Sequence, residues 1–196
     1  METATTVDAP VDEQRRRAVL AATVELCRAK GYAGLTVADV ADRAGTTADE
    51  LMRTWPSKAA LVISAFRRVI AADLVYADTG DIGTDLRAQL VGMARLLSDP
   101  TFGPFLAELV AEAQRDPDTA RAFVEYVFRP NRAAARERFA TAQEAGQLRG
   151  DLDLDVAIDL TFAPIWFRFL LGTGPLSEEY ATRVAHQALS GLAPAG

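Results

Sequence analysis

The chain has 196 residues, of which 49% are hydrophobic and 24% charged, a composition that supports a packed core. Its single cysteine, Cys27, excludes an internal disulfide framework, and its single histidine, His186, excludes a site that needs two imidazoles. No secretory signal is visible, and the longest apolar run, 160–171, is too short to span a bilayer and contains Arg168. We therefore expect a soluble cytoplasmic protein with no membrane partner.

The formal net charge of −6 opposes binding to a polyanion such as DNA. The charge is unevenly spread, because residues 1–58 carry 8 basic and 9 acidic side chains, whereas the rest carries 13 and 18. Lysine occurs only at Lys30 and Lys58, in a chain rich in arginine. The N-terminal part is therefore near neutral, and its net charge does not exclude a local basic face.

The N-terminal third predicts a tail followed by one long helix. Residues 1–11 lack any periodicity and are expected to form a flexible tail. Leu20, Val24 and Cys27 form the apolar stripe of an amphipathic helix over 12–30. Gly31 is expected to end that helix in a left-handed conformation.

Two short helices and a longer one are predicted next. Thr36 is placed as the N-cap of a helix over 37–44, and Gly45 breaks it. A second short helix over 47–55 follows, and a helix over 58–77 links this part to the rest. A three-helix domain over 12–57 results.

The remainder, 78–196, is expected to form a helical ligand-binding and dimerisation body. Its periodicity and its Gly/Pro/Asp breaks predict helices over 84–97, 102–115, 118–145, 153–171 and 177–192. No run alternates as a strand would, so the fold class is all-α, with about nine helices.

Two short helices joined at Ala44-Gly45-Thr46 are what a helix-turn-helix requires. Pattern alone leaves an ordinary three-helix bundle equally open. The run VLAATVELCRAKGYAGLTVADVADRAGTTADELMRTWPSKAAL, residues 19–61, resembles the N-terminal domain of the tetracycline-repressor (TetR) family. The resemblance rests on an apolar helix, a Gly-aromatic pair, Leu-Thr-Val before the second helix, Ala-Gly at the turn and a Pro-Ser-Lys segment. It implies a DNA-binding transcriptional regulator, by default a repressor that an effector releases.

The resemblance suggests that Thr36 and Lys58 contact phosphates, since each lies at the start of a helix. A solvated helix-end charge is the alternative for Lys58. The residues predicted to contact DNA are Thr36, Thr46, Thr47, Ala48, Arg53, Lys58 and Arg16. Arg16 comes from the cluster 15–17, for which mere solvation is an equal alternative.

The recognition helix departs from the family pattern at three positions. Met52 stands where a phosphate-binding tyrosine is usual, and Asp49 and Glu50 replace small or basic residues. A carboxylate can accept from cytosine, although we favour a role in capping the helix. The alternative function is a TetR-like protein whose DNA surface has decayed and which acts as a ligand-binding or protein-interaction module.

The body is expected to hold an unknown small-molecule effector, as the resemblance implies, and because few polar side chains lie near its aromatic residues we expect an apolar or weakly polar one. Aromatic side chains there are able to line a pocket, although plain core packing is the commoner role. The predicted pocket residues are Phe102, Phe105, Phe123, Tyr126, Phe162 and Trp166.

A homodimer is predicted through the helices over 153–171 and 177–192. The run LTFAPIWFRFLL is apolar almost all round, so a helix of this sequence needs burial on more than one side. A two-fold dimer would present two recognition helices to a palindromic double-stranded operator. The alternative is a monomer whose last helix covers the apolar one.

Enzymatic function is not expected. The spacing of Asp151, Asp153 and Asp155 is like the start of a calcium loop, but Val156 and Phe162 occupy the positions of the required glycine and glutamate. The sequence has no phosphate-binding glycine loop, nucleophile elbow or Cys/His pair. We therefore predict no catalytic residue, metal site or cofactor.

Overall fold

The computed structural model describes residues 9–70 and 77–194, and every regular element in these two ranges is helical. The elements are α1 (Ala9–Gly34), α2 (Val37–Ala44), α3 (Ala48–Thr54), α4 (Lys58–Ile70), α5 (Ile82–Ser98), α6 (Phe102–Ala113), α7 (Pro117–Phe123), a π-helical segment (Val124–Phe128), α8 (Arg129–Glu144), α9 (Leu154–Leu171) and α10 (Glu178–Leu192). The all-α prediction is confirmed.

Side-chain caps explain where five of the described α-helices begin. The side chains of five residues each accept a hydrogen bond from a backbone N–H of the first helical turn: Thr36, Thr47, Asp81, Asp153 and Ser177. These bonds satisfy amide groups that have no partner within the helix. The starts of α2, α3, α9 and α10 therefore fall within one residue of the predicted ones, whereas Asp81 starts α5 two residues earlier than predicted.

The segment predicted as one helix over 118–145 is helical from Pro117 to Glu144, but it is not a single α-helix. The structure has α7, the π-helical segment and α8 in its place. Pro130 lies in the first turn of α8 and lacks the N–H that would pair with the carbonyl of Tyr126 in a continuous α-helix. The Asn131 side chain donates to the carbonyl of Val127 at 2.9 Å. The backbone bonding therefore shifts register here, a change that apolar periodicity does not reveal.

Two predicted segments lie partly outside the described residues. These are residues 1–8 of the tail and residues 71–76 of the linking helix. The helix α1 begins at Ala9, earlier than predicted, and it continues to Gly34 past a non-helical residue at Gly31.

The described chain divides into two compact units. The first contains α1 to α4 as far as Val69, together with Glu108–Phe123, and its most buried side chains include Leu35, Val40 and Val62. The second contains the remaining described residues. Its core cluster is formed by Ile82, Leu86, Ala135, Phe139, Ala142, Leu148, Ala157, Ile158 and Leu192. The functional boundary at residue 78 stays a prediction.

Candidate nucleic-acid interface

Helices α2 and α3 are joined by a tight turn at Gly45. Its φ of 66° and ψ of 40° lie in the left-handed region, which is strained for residues with a side chain. The Thr46 amide donates to the carbonyl of Ala41 at 3.0 Å, which closes the end of α2. A Cβ at Gly45 would meet no atom within 4 Å, so the glycine is needed for its backbone conformation alone.

The short helix α3 has one buried face and one exposed face. Leu51 and the following Trp55 are buried, as predicted, whereas Met52 and Arg53 are exposed and Ala48 is half-buried. The outer face of α3 is therefore the one that is exposed to solvent and available for contact with a partner.

A carboxylate already occupies the start of α2. Thr36 donates from its backbone N–H and from its hydroxyl to Asp39 Oδ2, at 3.0 and 2.8 Å. Lys30 Nζ donates to Asp39 Oδ1 at 2.8 Å. The hydrogen bond from Lys30, followed by those from Thr36, lowers the pKa of Asp39 to about 2. A phosphate at this helix end therefore has to share Thr36 with Asp39 or displace it.

At the start of α3, a glutamate also forms hydrogen bonds with threonines. The Thr46 hydroxyl donates to a Glu50 carboxylate oxygen, and the Glu50 backbone N–H donates to Thr47 Oγ1 at 3.2 Å. The bond from Thr46 is the largest of several causes that lower the pKa of Glu50. Glu50 thus bonds to both threonines, whereas Asp49 is exposed.

The three consecutive arginines near the start of α1 have different surroundings. Arg16 places its guanidinium 5.6 Å from the centroid of the Trp55 ring, and Arg17 forms an exposed ion pair with Glu13. Arg15 is the one whose charge helps to lower the pKa of Glu50. The sequence predicted that all three arginines can reach the backbone of DNA, with Arg16 as the named candidate, because the cluster alone does not tell which of them lies near Glu50.

Lys58 is held by Tyr32. Its Nζ donates to the Tyr32 carbonyl at 3.0 Å and lies 4.2 Å from the centroid of the Tyr32 ring. An ammonium group has three N–H donors, so this bond leaves two. Lys58 is half-buried at the first position of α4. Its ammonium is therefore fixed in place rather than freely solvated.

The helix α9 carries an exposed apolar face. Leu160, Phe167 and Leu171 are 65%, 58% and 63% exposed, and Val156 and Leu170 are also exposed. Their spacing puts all five on one side of the helix. Ile158 and Ile165 on the opposite side are buried. The helix thus uses one side for its own core and leaves an apolar side uncovered.

A groove of about 1120 Å³ opens beside this face. Its lining includes Val156 and Leu160 from α9 and Tyr180 and Val184 from α10. None of the six aromatic residues predicted for the effector pocket lines this groove. Phe102 and Phe105 are buried, and the centroids of their rings are 6.2 Å apart. The other four predicted residues are half-buried: Phe123, Tyr126, Phe162 and Trp166.

Two family profiles match the chain. The profile of bacterial regulatory proteins of the tetR family matches residues 19–65, which include the helix-turn-helix. The profile of the tetracyclin repressor-like C-terminal domain matches residues 76–188, more than half of the chain. The chain belongs to the TetR family. The predicted identification is confirmed.

Individual TetR-family relatives agree. The crystal structure of the TetR family transcription regulator SCO0332 superposes with a TM-score of 0.81 and 34% identity, over 92% of this chain and all of that one. The HTH-type transcriptional regulator YdeS of Bacillus subtilis is 29% identical over 183 residues, 93% of this chain and 92% of YdeS. A DNA-binding transcriptional repressor TetR of Mycobacteroides abscessus is 26% identical over 179 residues.

The family gives the function in outline. This TetR-family member is a DNA-binding transcriptional regulator, and regulators of the family bind small-molecule effectors and act as dimers. Among the helices that the structure describes, none is both long and apolar enough to cross a membrane. In the same part of the chain, no group of three His, Cys, Asp or Glu side chains is placed to hold a metal ion.

Lys58 and Ala48 are predicted to affect DNA binding in different ways. Lys58→Ala is expected to weaken binding to all duplexes to a similar extent, and to reduce the slope of log K against log salt by about 0.9, because one phosphate contact is lost. Ala48→Ser is expected to change which sequence is preferred and to leave that slope unchanged. Fluorescence anisotropy with several labelled duplexes at four salt concentrations measures both effects. The opposite assignment of the two effects would contradict this division.

Proposed function

We propose that this regulator is a repressor that binds a palindromic operator as a two-fold homodimer and is released by a small apolar effector. The observation that carries the proposal is the exposed apolar face of α9, with Leu160 near its middle. An apolar surface of this kind on a soluble domain is typical of an interface. A second copy of the same face would cover it by two-fold symmetry.

The proposed interface consists of α9 and α10 from each protomer, which together would form a four-helix contact. The same symmetry would place two α3 helices in successive major grooves, about 34 Å apart, which is one helical turn of DNA. An operator with two inverted half-sites at that spacing is the matching DNA sequence. Repression would then follow from obstruction of a promoter by the bound dimer.

We assign the DNA contacts in two groups. The outer side of α3 and its N-terminal turn would meet the base edges through Thr46, Thr47, Ala48 and Arg53. The phosphates would be met by Thr36, Lys58 and Arg16. Because few cations face the DNA, and Asp39 and Glu50 lie among them, we expect weak and salt-sensitive binding to non-specific DNA.

The effector would bind in the helical body, and the aromatic side chains Phe102, Phe105, Phe162 and Trp166 are the proposed candidates for its contacts. Release requires that the effector bind more tightly to one spacing of the two recognition helices than to the other. The helix α4 follows the helix-turn-helix in the chain, and we propose that its movement transmits this change. Because its partner is DNA, we place the protein in the cytoplasm.

Selection of bound fragments from sheared genomic DNA tests the proposal. The purified full-length protein is expected to enrich fragments that share one inverted repeat. Ala48→Glu, which would put a carboxylate at the base edges inside the negatively charged groove, serves as the matched control and should enrich none. Enrichment of single or directly repeated sites, or no enrichment by the wild type, would overturn the proposed palindromic mode.

A further inference from the structure

Near its C-terminal end, α1 turns a corner at Gly31, where the backbone conformation requires glycine. Gly31 has a φ of 69° and a ψ of 173°, whereas its neighbours on both sides are helical. This region of the backbone map is essentially closed to residues with a Cβ, and such conformations persist only where the surroundings impose them. The direction in which α1 leads into the recognition unit is therefore set at Gly31.

The carboxylate of Glu108 is held at this corner. The backbone N–H of Tyr32, the residue after this break in the helix, donates to Glu108 Oε2 at 2.8 Å. A Cβ on Gly31 would lie 3.3 Å from the same oxygen. The missing side chain at Gly31 and the carboxylate of Glu108 thus complement each other.

Tyr32 is fixed at its other groups as well. Lys58 Nζ binds its carbonyl, and its hydroxyl lies 3.5 Å from Thr119 Oγ1. The Thr119 hydroxyl in turn donates to Asp116 at 2.6 Å. The Tyr32 side chain is only 3% exposed. Thr36, four residues after Tyr32, caps the start of α2. A shift of Tyr32 would therefore also shift the helix-turn-helix.

We propose that Glu108 is a positioning residue for DNA binding, which holds the Tyr32 amide and so fixes the angle at which α1 enters α2 and α3. The same corner also holds Lys58, the predicted phosphate contact. Glu108 lies on α6 and not on the DNA-facing helices, so it acts through Tyr32 and touches no DNA. The inference rests on the proposed function.

Two variants of Glu108 test this role. Glu108→Ala removes the acceptor, and it is expected to speed hydrogen exchange of the Tyr32 amide roughly tenfold and to weaken binding to a genome-selected fragment roughly tenfold, as for a lost hydrogen bond to a charged group. Glu108→Gln keeps an oxygen acceptor and should stay near wild type in both measurements. Gly31→Ala, which strains the backbone at this positive φ and also places a methyl group against the carboxylate, should impair both measurements at least as much as Glu108→Ala.

The control is Glu137→Ala, which removes an exposed carboxylate from α8 and should change neither measurement. Unchanged Tyr32 exchange in Glu108→Ala, or faster exchange with unchanged DNA binding, would overturn the positioning role. So would a Glu108→Gln variant as impaired as Glu108→Ala. Failure of the wild type to select any fragment would instead count against the proposed function, because the variants are judged relative to the wild type.

Discussion

Leu160→Glu is expected to turn the homodimer into a monomer and to weaken operator binding by about 10²–10⁴-fold. Leu160 is 65% exposed in the middle of the apolar face of α9, where two-fold symmetry would bring two such faces together. Two glutamates buried there would each lose solvation without gaining a partner. The affinity falls because a monomer binds one half-site and loses the effective concentration that links the two.

The mass measured by light scattering after gel filtration, and fluorescence anisotropy with a genome-selected duplex, check this prediction. The matched control is Val124→Glu, which makes the same kind of change at an exposed apolar residue outside α9. The control is expected to remain dimeric and to bind DNA as the wild type does. A Leu160→Glu variant that kept both the dimer mass and the operator affinity would show that α9 does not form the interface.

The helix-turn-helix was predictable from sequence because its determinants are local. Thr36 and Thr47 cap their helices through amides three residues further on, and Gly45 supplies a left-handed turn. Each of these interactions falls within one helical turn, so residue identity and spacing suffice to predict it. Burial of Leu51 and Trp55 follows from their spacing of four residues, which places them on one face.

The sequence also indicates that carboxylates bind the threonines predicted to contact DNA. Asp39 lies three residues after Thr36, which is the spacing of a capping box, and Glu50 lies four residues after Thr46. The spacing therefore indicated that the threonines would have acidic partners. The prediction of Thr36 as a phosphate contact considered its hydroxyl and not the residue that binds it.

Contacts between residues that are far apart in the sequence could not be predicted from local spacing. Periodicity shows which side of a helix is buried but does not identify its partner, so the bond between Tyr32 and Glu108, 76 positions apart, has no sequence signal. The π-helical interruption of the helix predicted over 118–145 was missed for a related reason. A π-helical segment changes the bonding register of the backbone, while the apolar residues keep a helical spacing.

Asp85→Ala is expected to destabilise the protein by about 3 kcal/mol, because it removes the buried carboxylate that pairs with Arg138 and leaves only the exposed carboxylate of Asp78, 3.6 Å from Arg138 Nε. The Asp85 and Arg138 side chains are 2% and 6% exposed. Arg138 Nε donates to Asp85 Oδ2 at 2.8 Å, and the Thr79 hydroxyl donates to Asp85 Oδ1 at 2.8 Å. The ion pair joins α5 to α8 inside the second unit, so its loss affects the core. The midpoint of urea denaturation, followed by circular dichroism, measures the change.

The exposed ion pair between Arg95 and Glu178 provides the matched control. Its side chains are 65% and 57% exposed, and water already solvates both, so Glu178→Ala should leave the urea midpoint almost unchanged. The double variant Asp85→Leu with Arg138→Met removes both buried charges and should recover most of the stability that Asp85→Ala loses. This recovery is the decisive comparison, because a purely steric role for Asp85 would leave the double variant at least as unstable as the single one.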